Sequence, residues 1–388
     1  MNWKTVKLGD VCSKIGSGAT PRGGSTVYIE KGITFIRSQN VYNLSFNYSG
    51  LVFINDEAAT KLKGVTIKES DVLLNITGDS VARTCIVPSD VLPARVNQHV
   101  AIVRPESEIL NPIFLNYYLA SPYMQSFMLG IAVGKGTSRN AMTKDMIAEF
   151  EVPCPPIKVQ QKIIDILKPY DSLIENNRKQ IKLLEEAAQR LYKEWFVDLH
   201  FPGYEDVEIV AGVPEGWSKE PIGNIIGRMS RTKQIKTADY LLEGTIPVID
   251  QSRNFVAGYT NDSEALVNTG TPIIVFGDHT RILKYIQFPF AKGADGTQLI
   301  ISDRTNMPQS LLYLSLIAVD LSNYHYARHF KYLKAESILI PSQNVADEFD
   351  RLISPIFSQI QKLREQCYKL SQIRDRLLPK LMSGEIEV

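Results

Sequence analysis

The 388-residue chain has almost no surplus of charge: 43 Lys and Arg stand against 42 Asp and Glu, a formal net charge of +1. A protein that held nucleic acid unaided would usually be basic. Cysteines are few and scattered (Cys12, Cys85, Cys154, Cys367), and no C-x-x-C pair occurs. That excludes a disulfide framework and fits reduced thiols in the cytoplasm. Long apolar runs are missing too. The best, Leu311 to Val319, contains Ser315 and is far too short to span a bilayer. The opening residues Met1-Asn2-Trp3-Lys4-Thr5 hold no apolar signal core. These absences predict a cytoplasmic protein with no membrane partner.

Signatures of chemistry are absent as well. Asn111-Pro112-Ile113-Phe114 approaches the adenine-gripping [Asn/Asp]-Pro-Pro-[Tyr/Phe] of amino-methyltransferases, but Ile113 replaces the second proline. It reads instead as the start of a helix, 113–119, with proline at the first position. Gly130 to Ser138 resembles a phosphate-cradling loop, yet its glycine spacing is one short and Gly136 replaces the hydroxyl residue. No glutamate is followed two positions later by lysine, as a nuclease metal site would require. His325 and His329 lie one helical turn apart but lack the glutamate of a zinc hydrolase. No catalytic residue and no metal ligand is expected.

What the chain does contain is written twice. Its 44% apolar and 22% charged residues are those of a globular protein, and its length suits two or three domains. Ile163, Leu167, Tyr170, Ile174, Asn177, Ile181, Leu184, Ala188, Leu191 and Trp195 follow a 4-3-4-3 spacing, a heptad seam. Moving 186 positions along gives Phe349, Ile353, Ile356, Ile360, Leu363, Cys367, Leu370, Arg374, Leu377 and Leu381. Pro155 and Pro341, Pro169 and Pro355, Gln180 and Gln366, and Arg190 and Arg376 share that offset. This is an internal duplication. Pro169 and Pro355 sit inside the seams, where each removes a backbone donor, and predict a kink or break in each helix.

The segments before the helices correspond more loosely. Trp3 with Leu8-Gly9 recurs as Trp217 with Ile222-Gly223. The runs 32–37 and 71–79 are echoed by 244–250 and 272–278, β-branched stretches bounded by Gly and Asp that read as strands ending in turns. The loops between them have diverged, as in a recognition module. The predicted fold class is α+β: two mixed α/β domains alternating with two long helices. A helix with one apolar stripe cannot bury it alone, so the two are expected to pair as an antiparallel coiled coil with pseudo-two-fold symmetry. The expected divisions are a first domain at 1–156, a central helical spacer at 157–200, a second domain at 201–340 and a C-terminal spacer at 341–388. Ile174, Asn177, Ile181, Leu184 and Leu191 are expected in the seam against Ile360, Leu363, Leu370 and Leu377.

With these features the chain resembles the specificity subunits of type I restriction–modification systems. The resemblance spans nearly the whole length. It rests on Val152-Pro153-Cys154-Pro155-Pro156 leading into Gln160-Gln161-Lys162-Ile163-Ile164, on Pro214-Glu215-Gly216-Trp217, and on Leu377 to Gly384. Val96-Asn97-Gln98-His99-Val100 and Phe276-Gly277-Asp278-His279-Thr280-Arg281 look like the cores of the family's target-recognition domains. The resemblance implies a non-catalytic subunit that reads a bipartite site on double-stranded DNA, one half per domain, with the coiled coil fixing the gap. It also implies two modification (methyltransferase) subunits docked on the coil and restriction (motor-nuclease) subunits beside them. S-adenosylmethionine, ATP and Mg2+ would sit on those partners, which would also supply part of the phosphate contact. Two other readings stay open: a recognition subunit whose partner fuses modification and restriction, and a coiled-coil scaffold with no DNA role.

Base readout needs polar or cationic side chains on loops that reach a groove, and phosphate contact needs cations and backbone N–H groups. In the first domain Arg37-Ser38-Gln39-Asn40, Thr77 with Arg83, and Lys135-Gly136-Thr137-Ser138-Arg139 qualify. In the second, the candidates are Gln251, Arg253 and Asn254, His279 and Arg281, and Arg328, His329 and Lys331.

Overall fold

The computed structural model describes residues 3–133, 141–229, 232–324 and 328–388, without the side chains of 24 and 25. The chain forms two compact units, Met1–Glu175 with Cys367–Val388, and Asn176–Gln366. Its class is α+β, with long helices at Ile157–Tyr192 and Gln343–Met382.

In the first unit, Ile33–Ile36 lies between a parallel neighbour, Ala94–Val96, and an antiparallel one, Val52–Ile54. A second sheet has the order Cys12–Ser17, Val100–Pro105, Val72–Asn75, Thr84–Ile86, antiparallel throughout. Both central strands are apolar on both faces: all four residues of Val72–Asn75 are buried, as are Phe35 and Ile36. That is the pattern of a strand covered on each side. The helix Pro112–Ala120 covers one face. Pro112 stands at its first turn, where a missing N–H costs nothing, and the Asn111 side chain caps it by accepting from the Ile113 N–H.

The second unit repeats this plan. Ile246–Ile249 lies between parallel Phe290–Lys292 and antiparallel Gly258–Thr260. Ile273–Gly277 pairs with Leu283–Ile286 and Thr297–Ile300, and the helix Gln309–Ala318 packs on this sheet. The repetition reaches single hydrogen bonds. The Leu8 N–H donates to the Phe150 carbonyl at 3.0 Å, and the Ile222 N–H to the Glu336 carbonyl at 2.8 Å. Thr5 lies opposite Pro153, and Lys219 opposite Leu339. A side chain at Gly9 would place its Cβ 3.2 Å from the Ala148 carbonyl oxygen, and one at Gly223 the same distance from that of Lys334. The duplicated glycines therefore mark the same close backbone approach.

The long helices owe their faces to the heptads. Each of the twenty seam positions is buried or half-buried. Of the kink or break expected at Pro169 and Pro355, no break occurs: each helix runs on through its proline. Both prolines lie on the exposed face, as do Asp165 and Arg351 four residues earlier. The carbonyls deprived of an N–H partner are those of Asp165 and Arg351, and on that face water can replace it.

Each unit holds part of both helices. In the first, Ile163, Leu167, Leu378 and Leu381 join the core beneath the Pro112–Ala120 helix. Asp171 meets Arg374 at 2.6 Å there, and the Cys367 thiol lies 3.7 Å from the Ile174 carbonyl. In the second, Ala188, Phe349, Ile353 and Ile360 join the core. Asn177 donates to Gln366 at 3.2 Å and Arg364 meets Glu185 at 2.6 Å. Within each unit the numbers rise along one helix as they fall along the other. No helix of the described residues is long and apolar enough to cross a membrane.

Candidate nucleic-acid interface

The turns that end the two central strands of each unit meet. In the first unit, Ile33–Ile36 runs into Arg37-Ser38-Gln39-Asn40, and Val72–Asn75 into Thr77-Gly78-Asp79-Ser80. The amide of Asn75, the last residue of its strand, donates to the Ser38 carbonyl at 2.8 Å and ties the first turn to the end of the second strand. Between them lies a groove of about 610 Å³, lined by Ser38, Gln39, Tyr42, Thr77, Arg83 and His99 among others. The Arg83 guanidinium stacks on the exposed Tyr42 ring, 4.5 Å from its centroid, a flat cationic surface of the kind that suits bases and phosphates.

The second unit builds the same junction with other residues. Gln251, after Ile246–Ile249, accepts from the His279 N–H at 3.1 Å and donates to the Asp295 carbonyl at 2.8 Å. The Thr280 hydroxyl donates to the Gln251 carbonyl at 2.7 Å. Arg253, Asn254, His279, Arg281, Arg328 and Lys331 are exposed. Arg281 takes a left-handed backbone, φ 60°, and its guanidinium donates to the Leu321 carbonyl at 2.8 Å. Beneath the 250–254 loop lies the buried Lys284, whose ammonium donates to the carbonyls of Asp250 at 2.7 Å and Asn254 at 2.5 Å. Burial pushes this lysine down to about 8, against the opposing pull of the Asp250 carboxylate.

Two expected readers are turned inward. Asn40 is fully buried: its Oδ1 accepts from the Arg37 N–H, and its amide donates to the Asn47 and Ser49 carbonyls. His329 is buried with its ring nitrogens on the Asp278 and Tyr324 carbonyls. Both shape their loops and present nothing to a groove. Arg37 is half-buried and donates to the Gly50 carbonyl at 2.6 Å, whereas Gln39 stays exposed. Lys135, Thr137, Ser138 and Arg139 lie outside the described residues. Sequence reasoning did not pick out Tyr42, Gln98 or His99 as site residues. In the sequence the run 96–100 reads only as a stretch of domain core, and the link from His99 to Thr77 crosses 22 residues. Among the described residues no cluster of His, Cys, Asp and Glu is placed to hold a metal ion.

Comparison with known proteins matches residues 1–186 to the type I restriction modification DNA specificity domain. The type I restriction enzyme MjaIX specificity subunit of Methanocaldococcus jannaschii is 25% identical over 415 residues, covering 100% of this chain and 94% of that protein. The HindI specificity subunit of Haemophilus influenzae is 28% identical over 197 residues, covering 51% of this chain and 41% of its own. The crystal structure of a type I restriction–modification S subunit from M. genitalium superposes with a TM-score of 0.57 at 14% identity, over 98% of this chain and 96% of that one, a likeness of fold. The chain is thus similar along its whole length to a type I restriction enzyme specificity subunit, and its first 186 residues match the type I restriction modification DNA specificity domain.

Proposed function

We propose that this chain is the sequence-specific DNA-recognition subunit of a type I restriction–modification complex, each domain reading one half of a split site. The observation that carries the split reading is the repeated junction. In both units the turn after the strand with the parallel neighbour is hydrogen-bonded to the end of the all-antiparallel central strand or the turn that follows it, through Asn75 to Ser38 and Thr280 to Gln251. The scaffold beneath is the same, and the side chains differ. Such a pair presents two different sequence readers on one frame.

The domains are taken as 1–156 and 201–340, with 157–200 and 341–388 as helical spacers. The spacers pair as an antiparallel coiled coil, supported by the opposed numbering of Asp171 with Arg374 and Ile174 with Cys367, and of Asn177 with Gln366 and Glu185 with Arg364. The coil sets the gap between half-sites and docks two modification subunits, and restriction subunits join that assembly. S-adenosylmethionine, ATP and Mg2+ belong to those partners, which also supply the positive charge that this nearly neutral chain lacks. The test is binding of the chain to randomised duplexes, alone and with modification subunits. Selection of a single bipartite sequence by the assembled complex supports the reading, and binding without sequence preference contradicts it.

A further inference from the structure

Side chains from three separate loops form one hydrogen-bonded row at the groove of the first unit. The Thr20 hydroxyl is bonded to Gln98 Oε1. The Gln98 amide nitrogen lies 3.2 Å from His99 Nε2, and His99 Nδ1 lies 2.5 Å from the Thr77 hydroxyl oxygen. Thr77 and His99 both line the groove.

The chemistry of each group gives the row a direction. An amide nitrogen only donates, so His99 Nε2 accepts from Gln98. A neutral imidazole that accepts at Nε2 carries its hydrogen on Nδ1, and that hydrogen points at Thr77. The Thr77 oxygen is then the acceptor of this bond, and its own hydrogen is left over. No described residue takes that hydrogen.

We infer that His99 fixes Thr77 as a hydrogen-bond donor in this groove, so that the first unit recognises an acceptor atom on DNA there. The inference rests on the DNA-reading role proposed above and adds a polarity to it. An acceptor in the major groove is N7 of a purine, O6 of guanine or O4 of thymine, and a phosphate oxygen has the same chemistry. Thr77 touches the DNA, whereas His99 and Gln98 act through it as positioning residues.

The test uses the full chain assembled with modification subunits and a pool of randomised duplexes. Thr77→Val removes the hydroxyl and keeps the shape, and should weaken binding roughly fivefold to tenfold, the value of one neutral hydrogen bond. Thr77→Ser should retain binding. His99→Phe should reproduce the Thr77→Val loss, and His99→Asn, which keeps a donor near Nδ1, should recover most of it. A base acceptor shows as lost preference at one position of one half-site. A phosphate acceptor shows as a uniform loss with the preference unchanged. The inference is overturned if Thr77→Val binds and selects like the parent, or if Thr77→Val matters while His99→Phe does not. A parent complex that selects no sequence overturns the DNA-reading role as well. Because Thr77→Val keeps the shape of the side chain and Thr77→Ser keeps its hydroxyl, the test survives a His99 variant that fails to fold.

Discussion

Asp171 and Arg374 are joined at 2.6 Å between the central and C-terminal helices of the first unit, both mostly shielded from water. The Tyr117 hydroxyl, from the Pro112–Ala120 helix, donates to the other Asp171 oxygen. Burial and the adjoining carboxylate hold that phenol above the usual tyrosine range. At the duplicated positions the second unit has Phe357 and Ala188, both buried, and Tyr313 packs against Phe357 with ring centroids 5.6 Å apart. One copy of the layer is ionic and the other apolar.

Breaking the ionic layer from one side should be costlier than replacing it whole. Arg374→Ala leaves a shielded carboxylate without its cation and should cost about 3 kcal/mol. Adding Asp171→Phe, which copies the second unit, should recover most of that loss. Denaturant unfolding of the parent, the single and the double variants measures it. Additive losses would show that the layer is not a coupled unit.

Lys284 makes stability depend on pH in the direction opposite to a lysine held charged by a partner. Its folded value, about 8, lies below the ordinary 10.5, so between these the unfolded chain binds the extra proton. Its contribution should therefore rise as pH climbs from about 8 towards 10.5, because the neutral amine no longer pays for burial and still has two hydrogens for the Asp250 and Asn254 carbonyls. Unfolding curves of the parent and Lys284→Met across this range should converge or diverge accordingly: the parent gains on the variant as pH rises. A constant difference would refute the shift.

Arg83 should act on one half of the site alone. Arg83→Ala removes the cation stacked on Tyr42 and should weaken binding by the assembled complex about tenfold, an effect of roughly 1.4 kcal/mol. Arg83→Lys should recover little, since an ammonium cannot stack as a flat guanidinium does. Selection from randomised duplexes checks whether the other half-site is untouched.

The features legible in the sequence were those set by periodicity. The heptads and the 186-residue offset gave both helices and the repeat, and the β-branched runs gave the strands at Ile33–Ile36, Val72–Asn75, Ile246–Ile249 and Ile273–Gly277. Pro169 does not break its helix because it lies on a wet face, where water can take the place of the missing N–H. Asn40 and His329 did mislead. A polar residue in a loop serves the loop's own backbone as readily as a ligand, and only the fold shows that both are buried. The His99–Thr77 contact joins different turns and leaves no local pattern to read.

The spacer proposal predicts a ruler. One heptad inserted between Asn177 and Arg178, with another between Glu365 and Gln366, preserves the Asn177–Gln366 and Glu185–Arg364 contacts and keeps both seams in phase. Seven residues add about 10 Å at ~1.5 Å each, or about three base pairs at ~3.4 Å. A variant complex that still methylates should recognise the same two half-sites with a wider gap. An unchanged gap would show that the helices do not set it.

The most direct measurement is a genome-wide map of methylated bases in the host, made with the gene intact, deleted, and restored with Thr77→Val. The account predicts that deletion abolishes methylation at one bipartite motif, that restoring the parent gene returns it, and that the variant, if Thr77 contacts a base, changes one half-motif and leaves the other. A map in which deletion leaves every methylated motif in place would contradict the role of this chain in sequence recognition.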